Sequence, residues 1–155
     1  MKPLVLSTTV HIPAPPEAVW SVLVDVGTWE AWCPPVRRVT HGGSGELQVG
    51  QRLAYVLGMG PGVPVSFDVV LQAVDRPREL RWWSTKWWGV SATRAFLLTP
   101  EEGGTRVEDR KTFESRIWPV ATLYPTSIVG AMSDGWLQGL HDEVRRRDSD
   151  LISDA

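Results

Sequence analysis

The chain of 155 residues has one cysteine, Cys33, and no long apolar run. A single thiol cannot form an intramolecular disulfide, and without a second cysteine or a histidine at ligand spacing it does not indicate a metal site. No stretch reaches the roughly 18 consecutive apolar residues that a membrane span requires. The N-terminus alternates apolar with polar residues and therefore lacks the apolar core of a signal peptide. We expect a protein that stays in the cytoplasm.

An excess of charge of one sign is also missing, because 16 Lys and Arg oppose 18 Asp and Glu and leave a net charge of −2. The densest basic run, residues 145–147, is flanked by acidic residues and is typical of the solvated end of a helix. This balance does not favour a nucleic-acid partner. The length fits one domain, residues 1–155, which can bury a core without disulfides.

Phenylalanine and tyrosine are few, three and two, whereas tryptophan is abundant, with nine. Ordinary cores consist mainly of aliphatic residues, while an indole combines a large flat face with an N–H group that needs a partner. The excess favours a binding pocket, although packing alone could account for about half of the rings. We expect Trp20, Trp29 and Trp32 to pack against the short helices described next.

Hydrophobic periodicity divides the chain into a strand, two short helices, six strands and a long helix. Alternation over residues 4–12 predicts the first strand. The prolines of residues 13–16 end it and begin a helix that stops near residues 25–27, and a second helical turn covers 28–32. The later strands are predicted between Gly, Pro and Asp turns, at residues 36–41, 50–58, 64–74, 79–85, 90–99 and 105–114.

The last segment predicts a helix over residues 126–147. Apolar residues recur there every four positions and form one stripe: Ile128, Met132, Trp136, Leu140 and Val144. That stripe needs a sheet to cover it. The order of elements therefore predicts an α+β fold, in which a curved antiparallel sheet of about seven strands wraps around the C-terminal helix.

Several local phrases accompany this order: IPAPPEAVW at residues 12–20, the segment 25–34, RELRW at 78–82, GTRV at 104–107 and DGWLQGL at 134–140. Together they resemble the SRPBCC superfamily, which includes polyketide cyclases, START-type lipid carriers and birch-pollen-allergen-like proteins. The resemblance implies a helix-grip fold with a cavity between sheet and helix for a lipid, sterol, polyketide or other hydrophobic molecule. It implies no activity by itself, because function depends on the site and not on the fold.

Charged residues alternate with apolar ones on the last predicted hairpin. Arg94 and Phe96 share one face of their strand, and Asp109, Lys111 and Phe113 share one face of the next. If the apolar members face the cavity, the charged ones face it too and come within side-chain reach of one another. Two interpretations stay open: an ion-pair network that fixes the sheet, or cations that anchor a ligand oxygen, with Asp109 as a base if burial raises its pKa.

The hydroxyl of Tyr55, on the apolar face of its strand, is a fourth catalytic candidate, with core packing as the alternative. Neighbours on a strand face opposite ways, so one ring of each doubled tryptophan should point inward. The candidates for lining the cavity are aromatic or flexible apolar side chains: Trp83, Trp87, Trp88, Phe96, Phe113, Trp118, Tyr124, Met132 and Trp136.

Three functions are compatible with these features. The first is binding, or transport, of a small hydrophobic, aromatic or polyketide-like molecule. The second is a cofactor-independent cyclase, aromatase or dehydratase that uses the same cavity. The third, from the phrase at residues 134–140, is a protein-interaction module like the heat-shock ATPase activators. No metal or cofactor is expected, and monomer and homodimer are both compatible with the sequence.

Overall fold

A computed structural model of the chain describes residues 2–59, 63–85, 89–116, 119 and 126–153. The strands are β1 Leu4–Ile12, β2 Val36–His41, β3 Arg52–Met59, β4 Val63–Asp75, β5 Glu79–Thr85, β6 Val90–Glu101 and β7 Gly104–Ser115. The helices are α1 Pro16–Leu23, a 3-10 turn Val26–Thr28, α2 Trp29–Trp32 and α3 Thr126–Ser153. Among these described helices, none combines the length and apolar character that crossing a membrane requires.

The strands form one antiparallel sheet in the order β1-β7-β6-β5-β4-β3-β2. Consecutive strands from β2 to β7 are neighbours, and β1 closes the other edge by pairing with β7, from Leu4 opposite Phe113 to Ile12 opposite Thr105. The long α3 helix packs against this sheet, and α1 and α2 follow β1. The predicted helix-grip fold is therefore confirmed.

The last hairpin is longer than predicted, because β6 and β7 pair up to Glu101 opposite Gly104. Only residues 102–103 form the turn, and Gly103 takes a φ of +76°, which glycine adopts without a steric penalty. Helix α3 also continues past the predicted residue 147 to Ser153. Arg146 bonds Glu143 one turn before it and Asp150 one turn after it, which stabilises the exposed last turns.

The apolar stripe of α3 begins one residue later than predicted. Trp136, Leu140 and Val144 are buried, but Ile128 is 39% exposed and Val129 takes the buried position instead. Steps of four residues overshoot a helical turn of 3.6 residues, so a strict four-residue stripe drifts away from the sheet. The observed stripe avoids this drift because one of its steps is three residues long.

The short helices bury tryptophan as expected. Pro16 begins α1, and Glu17 lies in the first turn, where a carboxylate suits the helix dipole. Trp20, Trp29 and Trp32 are all buried. The Trp29 Nε1 donates to the carbonyl oxygen of Leu23 at 3.0 Å, which ties α2 to the end of α1.

Gly139 marks a close approach of α3 to the segment after α2. A Cβ at Gly139 would collide with the carbonyl oxygen of Trp32 and lie 2.9 Å from Cδ of Pro34, whereas a Cβ at Gly130 would have no atom of the described residues within 4 Å. Gly130→Ala should raise the free energy of unfolding by about 1 kcal/mol through helix propensity. Gly139→Ala should lower it by about 1–3 kcal/mol, because the collision outweighs that gain. Urea denaturation of both variants tests this pair, and equal effects at the two sites would contradict it.

Candidate functional site

A cavity of about 70 Å³ lies where the inner face of the sheet meets α3. Five strands and the helix contribute to its wall. The polar wall residues are Tyr55, Ser84, Thr93, Arg94 and Lys111. The other wall residues are Leu57, Phe67, Trp82, Ala92, Phe113, Val129 and Met132. The cavity is small beside the roughly 300–1,000 Å³ of typical ligand pockets.

Tryptophan mostly fills the core instead of surrounding a large void. Trp82 is the one tryptophan in the cavity wall among the residues that the structure describes. The rings of Trp29 and Trp136 meet edge to face with centroids 5.0 Å apart, and Tyr55 contacts both. We expected several indole rings around the cavity, but within the described part of the chain only one such ring lines it.

The prediction that Trp83 lines the cavity is wrong. Its side chain is on the outer face of β5, where the residue is 38% exposed, while Trp82 beside it is 2% exposed. The pattern of β5 contains the signal that distinguishes them. Leu80 shares the face of Trp82, whereas Arg81 shares the face of Trp83, and a strand buries its apolar face.

The other predicted cavity residues divide into three groups. Phe113 and Met132 are in the cavity wall. Phe96 and Trp136 are fully buried but are not in the wall. Each lies closer to the C-terminal end of its element, β6 or α3, than the wall residues of that element. Three tryptophans and a tyrosine lie outside the described residues: Trp87, Trp88, Trp118 and Tyr124.

Arg94 is itself a wall residue and forms a buried bidentate ion pair with Asp109. Arg94 Nε and Nη2 donate to the two carboxylate oxygens of Asp109 at 3.0 and 2.7 Å, and the two residues are 6% and 1% exposed. The guanidinium carbon also lies 4.1 Å from the centroid of the Trp136 ring. Paired hydrogen bonds and an aromatic face compensate an arginine for its lost hydration.

The ion pair keeps both partners charged. Burial by itself would lower the pKa of Arg94, but the Asp109 carboxylate outweighs it and the net pKa is raised. Burial would likewise raise the pKa of Asp109, but the Arg94 guanidinium outweighs it and the net pKa is lowered. The hypothesis that Asp109 acts as a base needed a raised pKa, so the structure contradicts it. Asp109 instead organises the cations around it.

Lys111 is also in the cavity wall, opposite Arg94 in the register of β6 and β7. Its Nζ lies 3.8 Å from Oδ2 of Asp109 and donates to the Oγ of Ser133 on α3. Burial and the positive charge of Arg94 lower the pKa of Lys111 to about 7, while Asp109 and Asp134 oppose the shift. Near neutral pH, both the ammonium and the free amine are therefore well populated.

Tyr55 supplies a protonated hydroxyl to the same wall. The residue is 3% exposed, and burial raises the pKa of its phenol to about 12, against the opposing influence of Arg94. Hydrogen-bonding groups of Trp82 and Arg94 lie next to the phenol oxygen. The Tyr55 hydroxyl can thus donate a hydrogen bond to a ligand oxygen at any physiological pH.

The sequence profile of the polyketide cyclase / dehydrase and lipid transport family matches residues 3–145, nearly the whole chain. The chain belongs to this family. Its match and the folds of its structural relatives confirm the resemblance to the SRPBCC superfamily. No curated protein matches the sequence.

Three solved structures illustrate the similarity of fold. The Zhui aromatase/cyclase from a Streptomyces species has a TM-score of 0.77 at 18% identity, with 94% of this chain and 96% of that chain covered. TTHA0849 from Thermus thermophilus has 0.75 at 20%, with 93% and 99% covered. A START superfamily protein from Mycobacterium smegmatis has 0.71 at 14%, with 92% and 97% covered. Identities this low establish the fold and leave the reaction open.

In this member of the polyketide cyclase / dehydrase and lipid transport family, sequence reasoning missed several residues of the site. Trp82 was missed because Trp83, its neighbour on β5, was predicted to face the cavity instead. Ser133 is a polar residue on the buried face of α3, 3% exposed and bonded to Lys111. A serine on the apolar face of an otherwise amphipathic helix is the signal that could have revealed it, because a buried hydroxyl needs a partner.

Proposed function

We propose that the protein binds a small molecule with an apolar body and one carbonyl, enolate or phenolate oxygen. The observation that carries this proposal is the position of Lys111 and Tyr55 in a wall that is otherwise largely apolar. The apolar surface would bury the body of the ligand, and the two polar groups would orient its oxygen. Few convergent polar groups in an apolar pocket are typical of small-molecule sites.

Lys111, and not Arg94, is the cation that this proposal assigns to the ligand. Arg94 already donates two hydrogen bonds to Asp109 and lies against the rings of Trp136 and Phe96. A ligand that drew Arg94 away would leave the Asp109 carboxylate buried and uncompensated, which is costly. No carboxylate of the described residues lies as close to Lys111, whose distance to Asp109 is 3.8 Å, so a ligand oxygen can become its partner without breaking the ion pair.

A polyketide-like ligand needs more room than the cavity provides, and Met132 lies where that room could be gained. Met132 borders both the cavity and an outer groove of about 460 Å³. The groove is lined by Pro34, Pro35, Gly58, Ser127, Ile128, Ala131 and Gly135. Methionine is flexible and tolerates irregular contacts. A rotation of its side chain would join the two spaces along one side of α3.

Catalysis is a second candidate function, and the pKa of Lys111 favours it. A free amine near neutral pH can remove a proton from the carbon beside a carbonyl group, and Tyr55 can stabilise the resulting enolate oxygen. Such a pair would serve a cyclisation or a dehydration without a cofactor. The interaction-module hypothesis gains no comparable support, since five of the six described tryptophans are buried.

Ligand-observed NMR with p-cresol and its isostere p-xylene tests the binding proposal. A hydroxyl group in p-cresol replaces one methyl group of p-xylene. The ratio of their affinities therefore measures the contribution of the polar groups in the cavity wall. We expect p-cresol to bind at least about tenfold more tightly, because a hydrogen bond to a charged group contributes about 1.5–3 kcal/mol. Lys111→Met should lower the ratio markedly, with Tyr55 left as the second polar anchor. Trp83→Phe, on the outer face, is the matched control and should leave both affinities unchanged.

Two results would contradict the binding proposal. One is equal affinity of the native protein for p-cresol and p-xylene. The other is binding that persists when Val129→Phe places a ring in the cavity wall, since that result would locate the ligand elsewhere.

A further inference from the structure

We propose that Lys111 is also a covalent site, a reactive amine that condenses with the carbonyl group of an aldehyde or β-dicarbonyl ligand. This inference rests on the proposed function, because the same cavity must admit the ligand. It goes further in assigning the ligand class and the bond that forms.

The contacts of Lys111 leave its amine poorly compensated as a cation. Its side chain is 9% exposed, and its direct partner is the neutral hydroxyl of Ser133. Both oxygens of Asp109 are engaged by Arg94, and the remaining contact of Lys111 with that carboxylate is 3.8 Å long. Phe113, Val129 and other apolar side chains share the cavity wall with it. A desolvated lysine beside a second cation is the arrangement that activates amines as nucleophiles.

The charged and titratable groups around the amine come from several elements. Arg94 on β6 opposes its protonation, Asp109 on β7 and Asp134 on α3 favour it, and Tyr55 on β3 is neutral. On the other side of β7, the residue opposite Lys111 in β1 is Leu6, which carries no charge. Burial is the largest influence, and together with these charges it lowers the pKa of Lys111 to about 7. About half of the amine is then unprotonated at pH 7, against fewer than about one in a thousand for an ordinary lysine.

The proposed step balances without a further reagent. The Nζ lone pair attacks the carbonyl carbon, the C–N bond forms, and one amine proton moves to the carbonyl oxygen. The C–O bond of this carbinolamine then breaks as Tyr55 donates a proton to the departing oxygen, and water leaves. The phenolate of Tyr55 takes back the second amine proton, so one amine and one carbonyl give one imine and one water. A β-dicarbonyl adduct can tautomerise to a conjugated enaminone.

Labelling with 2,4-pentanedione, the smallest β-diketone, tests this inference on the full chain. The sequence contains three lysines, Lys2, Lys86 and Lys111, so peptide mapping separates their reactions. At pH 7.5, Lys111 should gain the mass of one diketone less one water at least tenfold faster than Lys2. The rate should rise with pH and reach half its maximum near pH 7. Added p-cresol should slow the reaction at Lys111 and leave the reaction at Lys2 unchanged.

Two variants serve as controls. Lys111→Met should remove the fast adduct, and Lys2→Arg should leave it unchanged. Because labelling is mapped on the native protein, the result does not depend on how well Lys111→Met folds.

The outcomes separate the two proposals. Selective p-cresol binding with equal labelling of Lys111 and Lys2 would overturn the covalent inference and leave the binding proposal standing. Absence of both p-cresol binding and selective labelling would overturn both. Fast labelling of Lys111 that p-cresol does not slow would overturn the claim that reagent and ligand share the cavity.

Discussion

Asp109→Asn should destabilise the folded protein by about 3–5 kcal/mol, because it leaves a buried guanidinium without its counter-charge. The amide keeps the shape of the carboxylate but removes the charge that compensates Arg94 and Lys111. A domain of this kind has about 5–15 kcal/mol of stability in total. The loss should therefore appear as a large shift of the urea midpoint and as a lower yield of soluble protein.

A double-mutant comparison shows whether the loss comes from the unpaired charge. Arg94→Met together with Asp109→Leu removes both partners of the ion pair and should cost less than Asp109→Asn alone, because no buried guanidinium is left without its counter-charge. A single variant that loses less than about 1 kcal/mol would show that water or another group reaches Arg94, against its 6% exposure.

The lowered pKa of Lys111 should also have a large effect, on the pH dependence of the free energy of unfolding. Its pKa is about 7 in the folded protein against an ordinary 10.5, so the unfolded chain binds more protons between these values. Stability therefore rises with pH in this window, and the penalty of burying the ammonium is greatest below pH 7. Between pH 7 and 9, the native protein should gain about 2 kcal/mol relative to Lys111→Met.

The comparison with Lys111→Met is needed because another group begins to affect stability at the upper end of this range. Burial raises the pKa of the Cys33 thiol to about 12, so above pH 9 the unfolded chain loses this proton first and stability falls. That contribution is common to both proteins and cancels in the difference. Parallel stability curves from pH 7 to 9 would contradict the lowered pKa of Lys111.

Much of the fold could be predicted because local chemistry agrees with tertiary structure along the chain. Alternation over residues 4–12 favours a strand, and the prolines before α1 restrict the backbone at the helix entry. The glycines after Glu102 permit the positive φ angles that the last turn requires. Errors occurred where the signal is weak. The start of the stripe at Val129 depends on one three-residue step, and the end of α3 depends on exposed ion pairs of Arg146.

The site was less predictable because its chemistry depends on distances that periodicity does not encode. Alternation brings Arg94, Asp109 and Lys111 to one face, but only the structure shows that Arg94 takes both oxygens of Asp109. Because of this bidentate pairing, Asp109 stays ionised, and Lys111 is left with only a 3.8 Å contact to that carboxylate. The size of the cavity is equally hidden, because it is what remains after the rings of Trp29 and Trp136 are packed.

The pairing of β1 with β7 has a consequence for how the chain acquires its structure. Strand β1 has its hydrogen-bonding partner at residues 105–113, so it must wait until the strands between them have been made. Contacts between such distant segments slow folding, because a long loop has to close before they form. The hairpins from β2 to β7 can assemble earlier, which leaves β1 to complete the sheet in a late step of biogenesis.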